Sequence, residues 1–375
     1  MSEAPWAITL ADVSIGEAER AAVDEVLRSG WLSMGPETER FEQAFAEYLG
    51  AEHTIAVTNG TAALHLTAAA LGLGQGDEVI CPALTFVASA AGMRHTGAVV
   101  RLADSTSLDD FALDPAELER LASPRTRAVV VLHYGGYPAD MDALLAVARR
   151  RGWYVIEDAA HAPGAHLGDA ACGTIGDAGC FSFFPNKNMT TGEGGMVVVR
   201  DDDVAARARK LRSHAMTTTT WDRHRGHAAS YDVLDVGFNY RIDEIRAALG
   251  RVQLSRLDEL NAARARVAGW YRELLGGAEG LSLPSLGGRG TPSYHLAPLV
   301  APSLEARDDL RERLRVRRIQ TSVHYPAIHR FSHYASGRGL PTAEAIADRT
   351  LTLPMHAGLS REDVETVCAA LLEAR

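Results

Sequence analysis

The chain carries the stretch FSFFPNKNMTTGEGG at residues 181–195, and Lys187 lies at its centre. An apolar run precedes the lysine, and a second apolar run, Met196–Val199, follows the glycine-rich turn. Both runs are typical of buried strands, so Lys187 is predicted to lie in a tight connection between two of them. A lysine that acts as a covalent catalyst needs such a fixed position. A surface lysine in an ordinary loop is the alternative.

Asp158 is the second candidate, because it ends the short apolar run that begins at Val155. In an open α/β sheet, ligands bind at the carboxyl ends of the strands. A carboxylate there can hold a proton on a pyridine-type nitrogen, which is what pyridoxal phosphate (PLP) requires. The alternative is that Asp158 caps a following helix. Together with Lys187, the pattern favours the cofactor.

A phosphate site is predicted where the apolar run Thr54–Val57 turns into a helix at Gly60. Glycine lets the backbone approach a ligand closely, and free amides at a helix N-terminus bind phosphate. The hydroxyl of Ser182 can join them. Phe86 follows another apolar run and can cover a flat ring, although a place in the ordinary core is the alternative.

The remaining sequence alternates between strands and helices. Residues 15–50 read as two helices around a glycine-proline turn. The predicted strands are Thr54–Val57, Glu78–Cys81, Ala98–Leu102, Ala128–His133, Tyr154–Glu157, Gly179–Phe183 and Gly195–Arg200. Helices are predicted near 61–72, 87–95, 114–122 and 140–151, from Asp201 onward, over the long tract Ile242–Leu274 and after an N-cap at Ser303. This alternation predicts a mostly parallel sheet with helices on both faces.

Several blocks of sequence together resemble one known family. They are Gly30–Pro36, Asn59–Leu64, Glu157–His161, Gly176–Phe183, Thr190–Gly195, Gly237–Arg241, Val323–Pro326 and Leu351–His356. In this order they resemble the DegT/StrS family of PLP enzymes, which are mostly nucleotide-sugar and cyclitol aminotransferases. The resemblance runs over nearly the whole chain. It implies the α/β fold of type I PLP-dependent transferases. We place the change between a large PLP-binding domain, residues 1–250, and a smaller C-terminal α+β domain, residues 251–375, within the helical tract Ile242–Leu274.

The resemblance also implies roles for individual residues. Lys187 holds PLP covalently and later moves a proton, Asp158 holds the pyridine nitrogen, and Phe86 stacks on the ring. His161 lies near the ring hydroxyl. The phosphate is expected to be bound by Gly60, Thr61, Ala62 and Ser182, joined by Asn239 from the neighbouring subunit. Relatives in which a histidine replaces the lysine are sugar dehydratases, so the lysine favours transamination. The stretch Phe184–Asn186 departs from the commoner His-Pro-Val type.

Substrate contacts are predicted in two places. The polar loop Thr217–Ser230, which shows no clear secondary-structure pattern, carries Trp221, Arg223 and Arg225. Arginine suits bidentate contact with phosphate, and loops of this length are often functional. An ion pair at an interface is the alternative. The block that contains His324 and Tyr325, with the nearby His329, supplies the second set of candidates.

The bulk composition excludes some classes of protein. A length of 375 residues suggests two domains, and 46% hydrophobic residues allow a substantial core. The net charge of −10 argues against a general nucleic-acid or anionic-membrane binder. No apolar run approaches the roughly 20 residues that span a membrane, and the start of the chain has no leader pattern. The four cysteines lack metal-site spacing and are expected to be buried thiols in a reducing cytoplasm.

The expected function is transfer of an amino group from glutamate or glutamine to a keto-sugar, most simply a nucleotide-linked one in amino-sugar, antibiotic or cell-surface sugar biosynthesis. The enzyme is expected to use PLP without a metal, and to form a homodimer with shared active sites. The alternatives are an aminotransferase of a free ketocyclitol, a PLP-dependent sugar dehydratase, and a non-enzymatic regulator that retains the PLP pocket.

Overall fold

The computed structural model describes residues 6–226, 230–335 and 337–373. Its helices are α1 (Glu17–Ser29), α2 (Pro36–Leu49), α3 (Gly60–Ala70), α4 (Ala88–Arg94), α5 (Pro115–Leu121), α6 (Met141–Arg151), α7 (Asp202–Arg212), α8 (Thr220–His224), α9 (Glu244–Ser255), α10 (Leu257–Leu275), α11 (Leu304–Val316), α12 (Pro341–Arg349) and α13 (Arg361–Leu372). Its strands are β1 (His53–Val57), β2 (Glu78–Pro82), β3 (Val99–Ala103), β4 (Thr126–Leu132), β5 (Tyr154–Asp158), β6 (His166–Leu167), β7 (Ala170–Ala171), β8 (Ala178–Ser182), β9 (Gly195–Val199), β10 (Ala297–Val300) and β11 (Thr350–Leu353). Residues 1–5, on which the expectation of no leader rests, lie outside the described residues.

Seven strands form the central sheet, in the order β1-β9-β8-β5-β4-β2-β3. Strand β9 runs antiparallel to both of its neighbours, and every other pair in the sheet is parallel. Every residue of β4 from Ala128 to Leu132 is buried, as expected for a parallel strand that helices cover on both faces. The predicted α/β class with a large, mostly parallel sheet is confirmed.

The stretch that carries Lys187 rests on an aromatic core. Phe45 of α2 packs against Phe181 with ring centroids 5.1 Å apart, and Phe41 packs against Phe183 at 5.5 Å. All four side chains are fully buried. The two phenylalanines on one side of the lysine are therefore anchors that hold the end of β8 and the turn that follows it.

The C-terminal part of the chain has a core of its own. Helices α10, α11 and α13 pack around the antiparallel pair β10–β11, and buried side chains such as Tyr271, Leu314 and Val367 fill the space between them. Ser303 caps α11 as predicted, through a bond from the Ala306 amide. The division of the chain near residue 250 stays a prediction.

Two predicted segments differ from the structure. The tract Ile242–Leu274 is not one helix, because α9 ends at Ser255 and α10 begins at Leu257. Arg256, at the break, is held by Glu19 and Ser14 from the start of the chain, a long-range contact that no local pattern reveals.

The loop Thr217–Ser230 was expected to lack regular structure, and this was wrong. It contains α8, whose start is closed by a reciprocal pair of hydrogen bonds between Thr219 and Asp222. Residues 227–229 of this loop lie outside the described residues.

All four cysteines lie within the described ranges, and all are buried and outside any disulfide, as predicted. No helix in the described part of the chain combines the length and the apolar character needed to cross a membrane.

Candidate active site

A cavity of about 640 Å³ opens at the carboxyl edge of the central sheet. Most of the residues predicted for the cofactor and two of those predicted for the substrate line it. They are Gly60, Thr61, Ala62, Phe86, Asp158, His161, Ser182, Lys187, His324 and Tyr325. Residues that are as much as 265 positions apart in sequence therefore meet at one edge of the sheet, as the strand-end argument predicts.

Strand register brings the phosphate-binding candidates together. Gly195, the first residue of β9, pairs with Val57 on one side and with Ser182 on the other. A side chain at Gly195 would lie 2.6 Å from the backbone of Asn59. Glycine at this position is thus what allows the start of α3 to lie beside the end of β8.

The start of α3 offers donors for an anion. Asn59 caps the helix, accepting a bond from the Ala62 amide at 2.8 Å. The amides of Gly60 and Thr61 have no hydrogen-bond partner within the described ranges. A Cβ on Gly60 would lie 2.8 Å from Cβ of Ser182, so the backbone approaches the strand end as closely as it can. This cradle fits a phosphate group.

Asp158 ends β5 and is held from two sides. Ser89 donates a hydrogen bond to its Oδ2 at 2.5 Å, and the Ala160 amide donates to Oδ1 at 3.2 Å. Burial raises the pKa of Asp158, and these two bonds together with Lys187 oppose the rise. No helix follows the strand, so the alternative role as a helix cap is excluded. A buried carboxyl of this kind fits a cationic partner such as a protonated pyridine.

Lys187 faces the same cavity from the turn after β8. Its amide bonds to the Phe184 carbonyl at 2.9 Å, which closes the turn. Burial lowers the pKa of Lys187 to about 8, and the nearby carboxylate of Asp158 acts in the opposite direction. A larger fraction of this amine is therefore neutral near pH 7 than for an ordinary lysine, as a nucleophilic amine requires.

This pKa predicts how the protein freed of cofactor should react with PLP. Only the neutral amine attacks an aldehyde, so the rate at Lys187 should rise with pH and level off above about pH 8. Borohydride trapping at timed intervals, followed by peptide mass analysis, measures this rate. A rate that keeps rising to about pH 10, the range of an unperturbed lysine, would contradict a lowered pKa.

His161 and Tyr325 form a hydrogen-bonded pair whose direction is determined. The Gly135 amide donates to His161 Nδ1 at 3.2 Å, so this nitrogen carries no proton. The proton is therefore on Nε2, which donates to the Tyr325 hydroxyl at 2.8 Å. The hydrogen of the Tyr325 hydroxyl is left to donate to another acceptor, and the residue lines the cavity. Burial lowers the pKa of His161 well below its usual value, consistent with a neutral ring.

Phe86 lies at the mouth of the cavity and is 56% exposed, which excludes the alternative that it belongs to the core. Its ring centroid is 6.0 Å from that of Tyr325. Phe184, from the stretch that departs from the commoner pattern, is also exposed and lines the cavity. The mouth is thus bordered by two aromatic side chains that can cover a flat or apolar group.

The other predicted site residues lie outside this cavity. Asn239 is exposed. Trp221 packs against Trp31, with ring centroids 4.8 Å apart, and Arg223 lies over the ring of Tyr231. Arg225 lies near the Trp221 ring, with its guanidinium carbon 5.8 Å from the centroid.

His329 is buried and hydrogen-bonded to Glu344 at 2.9 Å. His324 does line the cavity and bonds to Thr352 at 3.0 Å. Burial lowers the pKa of His324 to about 4, so its ring is neutral near pH 7.

Two residues next to the site were missed by the sequence reasoning. Ser89 lies one turn after Phe86 and supplies the bond to Asp158, a role that its position at the start of α4 could have suggested. His295 packs against His161 with ring centroids 4.5 Å apart, and nothing in its local sequence indicates this. No group of three or more potential metal ligands occurs among the residues described.

The fold and the site together define a PLP-dependent enzyme, because a half-buried lysine, a buried carboxyl and a phosphate cradle face one cavity at the strand ends. The chain belongs to the DegT/DnrJ/EryC1/StrS aminotransferase family, whose model matches residues 13–372. It is accordingly a PLP-dependent sugar aminotransferase. The predicted family, cofactor and enzyme class are thereby confirmed.

Similar proteins agree with this assignment. The chain is 42% identical over 377 residues to the GDP-perosamine synthase of Caulobacter vibrioides, with 99% of each chain covered. It is 39% identical over 367 residues to the spore coat polysaccharide biosynthesis protein SpsC of Bacillus subtilis, covering 95% of this chain and 94% of that one. The structure of the aminotransferase TlmJ from Streptoalloteichus hindustanus matches with a TM-score of 0.90 at 37% identity, covering 97% of this chain and 98% of that one.

Proposed function

We propose that this enzyme transfers an amino group from glutamate or glutamine to a nucleotide-linked keto-sugar. The observation that carries the choice of acceptor is the 42% identity, over 99% of both chains, to an enzyme named for a GDP-linked sugar. The open mouth of the cavity, with the exposed rings of Phe86 and Phe184, leaves room for a substrate that extends beyond the site. Four buried, unpaired thiols support a reducing location such as the cytoplasm.

The proposed roles in the reaction follow from the contacts. Bound PLP supplies the electron sink that lets an amino group and a proton be exchanged at a substrate carbon. Lys187 anchors the cofactor and, with a pKa of about 8, can both accept and return a proton near neutral pH. Asp158, held in place by Ser89, keeps a proton on the ring nitrogen. The Tyr325 hydroxyl accepts a hydrogen bond from His161, so its own hydrogen can be donated in a hydrogen bond to an oxygen of the bound cofactor or substrate.

The acceptor is tested by a panel of ketones. Enzyme first treated with glutamate is mixed with GDP-, UDP- and dTDP-linked keto-sugars, with the same sugars lacking the nucleotide, and with a free ketocyclitol. Amine formation, measured by mass spectrometry, is expected for at least one nucleotide-linked sugar with the highest kcat/KM of the panel. A higher kcat/KM for the ketocyclitol would reject the nucleotide-linked acceptor in favour of the cyclitol. A product that lacks an oxygen instead of gaining an amine would indicate a dehydratase.

The proposal includes a homodimer with shared active sites. Tyr231, Val233, Leu234 and Val236 form an exposed apolar segment, and Val236 is 86% exposed. Contiguous apolar surface of this kind marks contact sites between proteins. Asn239 lies three residues after Val236 and is exposed outside the cavity of its own chain, which suits a residue that reaches the phosphate of a second copy.

Subunit complementation tests the shared site. Lys187→Ala and Asn239→Ala proteins should each be nearly inactive. A mixed dimer should regain up to about half of the activity of a wild-type dimer. One of its two sites then has both Lys187 and Asn239 intact, and the other site has neither. The measurement is activity after subunit exchange, with dimer formation followed by native mass spectrometry. A mixed dimer that forms but stays inactive would show that each site is complete within one chain.

The loop that carries Trp221, Arg223 and Arg225 is proposed to contact the nucleotide part of the substrate. It lies just before the exposed segment and Asn239 in sequence, so it is placed to reach the site of the partner. Within its own chain Arg223 is held by the Thr218 carbonyl at 3.0 Å, by the Thr220 hydroxyl at 3.2 Å and by the Tyr231 ring. These contacts orient the guanidinium and leave the rest of its donors for an anion.

Arg223→Ala is expected to raise KM for the nucleotide-linked sugar about tenfold to a hundredfold, the usual effect of losing a charge-assisted hydrogen bond. The glutamate half-reaction should change little, because that donor carries no diphosphate. Steady-state kinetics with each substrate separate the two effects. Equal losses in both half-reactions, or a weaker dimer, would make Arg223 an interface residue instead.

A further inference from the structure

The loop between β2 and α4 places a buried hydroxyl group in the wall of the cavity. Thr85 precedes Phe86 in this loop, and its side chain is only 1% exposed although it lines the cavity. Its hydroxyl oxygen lies 2.7 Å from that of Ser89, which is fully buried in α4. Thr85 is therefore connected through Ser89 to the carboxyl of Asp158.

The direction of these hydrogen bonds follows from the number of hydrogens available. An ionised carboxylate only accepts, so the Ser89 hydroxyl donates its single hydrogen to Asp158 Oδ2, at 2.5 Å. Ser89 then has no hydrogen left for Thr85, so the Thr85 hydroxyl donates to the Ser89 oxygen. A hydroxyl that accepts a hydrogen bond is polarised by it and donates more strongly. The two hydroxyl groups thus act in series on the carboxylate.

The hydrogen bond from Ser89 counteracts the effect of burial on Asp158. Burial raises the pKa of this carboxyl, because a low-dielectric surrounding disfavours its charged form. The bond from Ser89 is the largest of the effects that oppose the rise, ahead of the Ala160 amide and the charges of Lys187 and His133. Whatever strengthens Ser89 as a donor therefore makes Asp158 a weaker base.

The other titratable groups around Asp158 do not take over this role. The thiols of Cys81 in β2 and Cys180 in β8 and the phenol of Tyr325 are buried, and the Asp158 carboxylate adds to the rise that burial causes in the pKa of each. All three are therefore neutral near pH 7. Glu157, the preceding residue, is hydrogen-bonded to His133 at 2.8 Å and to three backbone amides.

We propose that Thr85 is a positioning residue which, through Ser89, keeps a proton on the ring nitrogen of bound PLP and off Asp158. This role rests on the proposed contact between Asp158 and that nitrogen. A carboxylate and a pyridine nitrogen share one hydrogen, which stays on the nitrogen only while the carboxylate is the weaker base. The two hydroxyl groups in series lower the basicity that burial raises. The loop after β2 thus covers the ring with Phe86 and controls its charge with Thr85.

The test observes the ring nitrogen directly, in enzyme loaded with PLP that carries a ¹⁵N label at this position. The NMR chemical shift of the nitrogen differs between a neutral pyridine and a pyridinium, so it reports on which side of the contact the proton lies. The wild-type enzyme is expected to show the pyridinium signal near pH 7. Single-turnover kinetics with glutamate provide a second measurement on the same samples.

Thr85→Val keeps the shape of the buried side chain and removes only its hydroxyl. It is expected to move the ¹⁵N signal part of the way toward that of neutral pyridine and to lower the rate about twofold to tenfold, the effect of one ordinary hydrogen bond. Ser89→Ala removes the bond to the charged group itself, so it should move the signal further and lower the rate about tenfold to a hundredfold. Thr85→Ser restores the hydroxyl and should restore the wild-type signal.

Thr67→Val is the matched control, since Thr67 is fully buried in α3 and its hydroxyl lies 3.3 Å from Cys180 Sγ. It removes a buried hydroxyl that is not bonded to Asp158, so the ¹⁵N signal should not move. An unchanged signal in Thr85→Val overturns the assignment, as does an equal shift in Thr67→Val. If Thr85→Val fails to fold, an unchanged signal in Ser89→Ala has the same consequence. A wild-type nitrogen that is already neutral would instead reject the proposed contact with Asp158, and with it the role of Thr85.

Discussion

Replacing Lys187 by alanine is expected to lower transamination at least about 10⁴-fold, because the covalent anchor and a proton transfer worth up to about 10⁴ are lost together. The fold should survive, since the change removes a partly buried amine whose pKa burial has already lowered to about 8. Single-turnover kinetics with glutamate measure the first effect, and thermal melting of the protein without cofactor measures the second.

The chain offers an unusually clear control for this experiment, because Lys187 and Lys210 are its only lysines. Lys210 is exposed on α7. Borohydride should attach the cofactor to the Lys187 peptide and leave the Lys210 peptide unmodified, and Lys210→Ala should keep full activity. Cofactor found on Lys210 in the native protein, or activity retained by Lys187→Ala, would remove Lys187 from its assigned role.

Asp158→Asn is expected to lower the rate about 10²-fold to 10³-fold, since a preorganised charge next to the reacting system is lost. The protein without cofactor should not be destabilised. Burial raises the pKa of Asp158 above its unfolded value, so the stability that its protonated form contributes is lost as the pH rises through the folded pKa. At neutral pH the buried, ionised Asp158 carboxylate lowers the stability of the folded protein when no pyridinium is bound beside it. The neutral amide of asparagine does not have this effect.

Asp177→Asn serves as the matched control, because the same substitution is then made at the other end of β5. Asp177 accepts a hydrogen bond from the Val155 amide at 2.7 Å, away from the cavity. Asp177→Asn should lower the melting temperature and leave the rate nearly unchanged. Asp158→Asn should lower the rate and leave the melting temperature nearly unchanged. Near-normal turnover by the Asp158 variant would reassign that carboxyl to a structural role.

Much of the fold could be predicted from the sequence. The predicted strands of the central sheet match β1–β5, β8 and β9 to within two residues, because parallel strands buried on both faces are nearly continuous apolar runs. The short pairs β6–β7 and β10–β11 were not predicted. Two-residue strands such as β6 have no periodicity of their own, and β10, which contains Pro298, exists because β11 pairs with it.

The candidate site divides in a similar way. Site residues that lie next to strand ends, such as Lys187, Asp158 and Gly60, can be predicted from the sequence. The carboxyl ends of parallel strands meet at one edge of the sheet, so these residues are expected to lie close together. The identity of the bonding partners is not visible there. Ser89 reaches Asp158 across 69 positions of sequence, and only the packing of α4 against the sheet determines that contact.

The same physical reason separates the sequence motifs from the buried charges. The family, the cofactor and the position of the lysine follow from motifs that are continuous in the chain. The burial of Arg264 and its hydrogen bond to the Met355 carbonyl depend on α10 and the residues around Met355 coming together. Local sequence carries the propensity of each segment, but the cost of a buried charge is set by everything packed around it, and this is known only once the chain has folded.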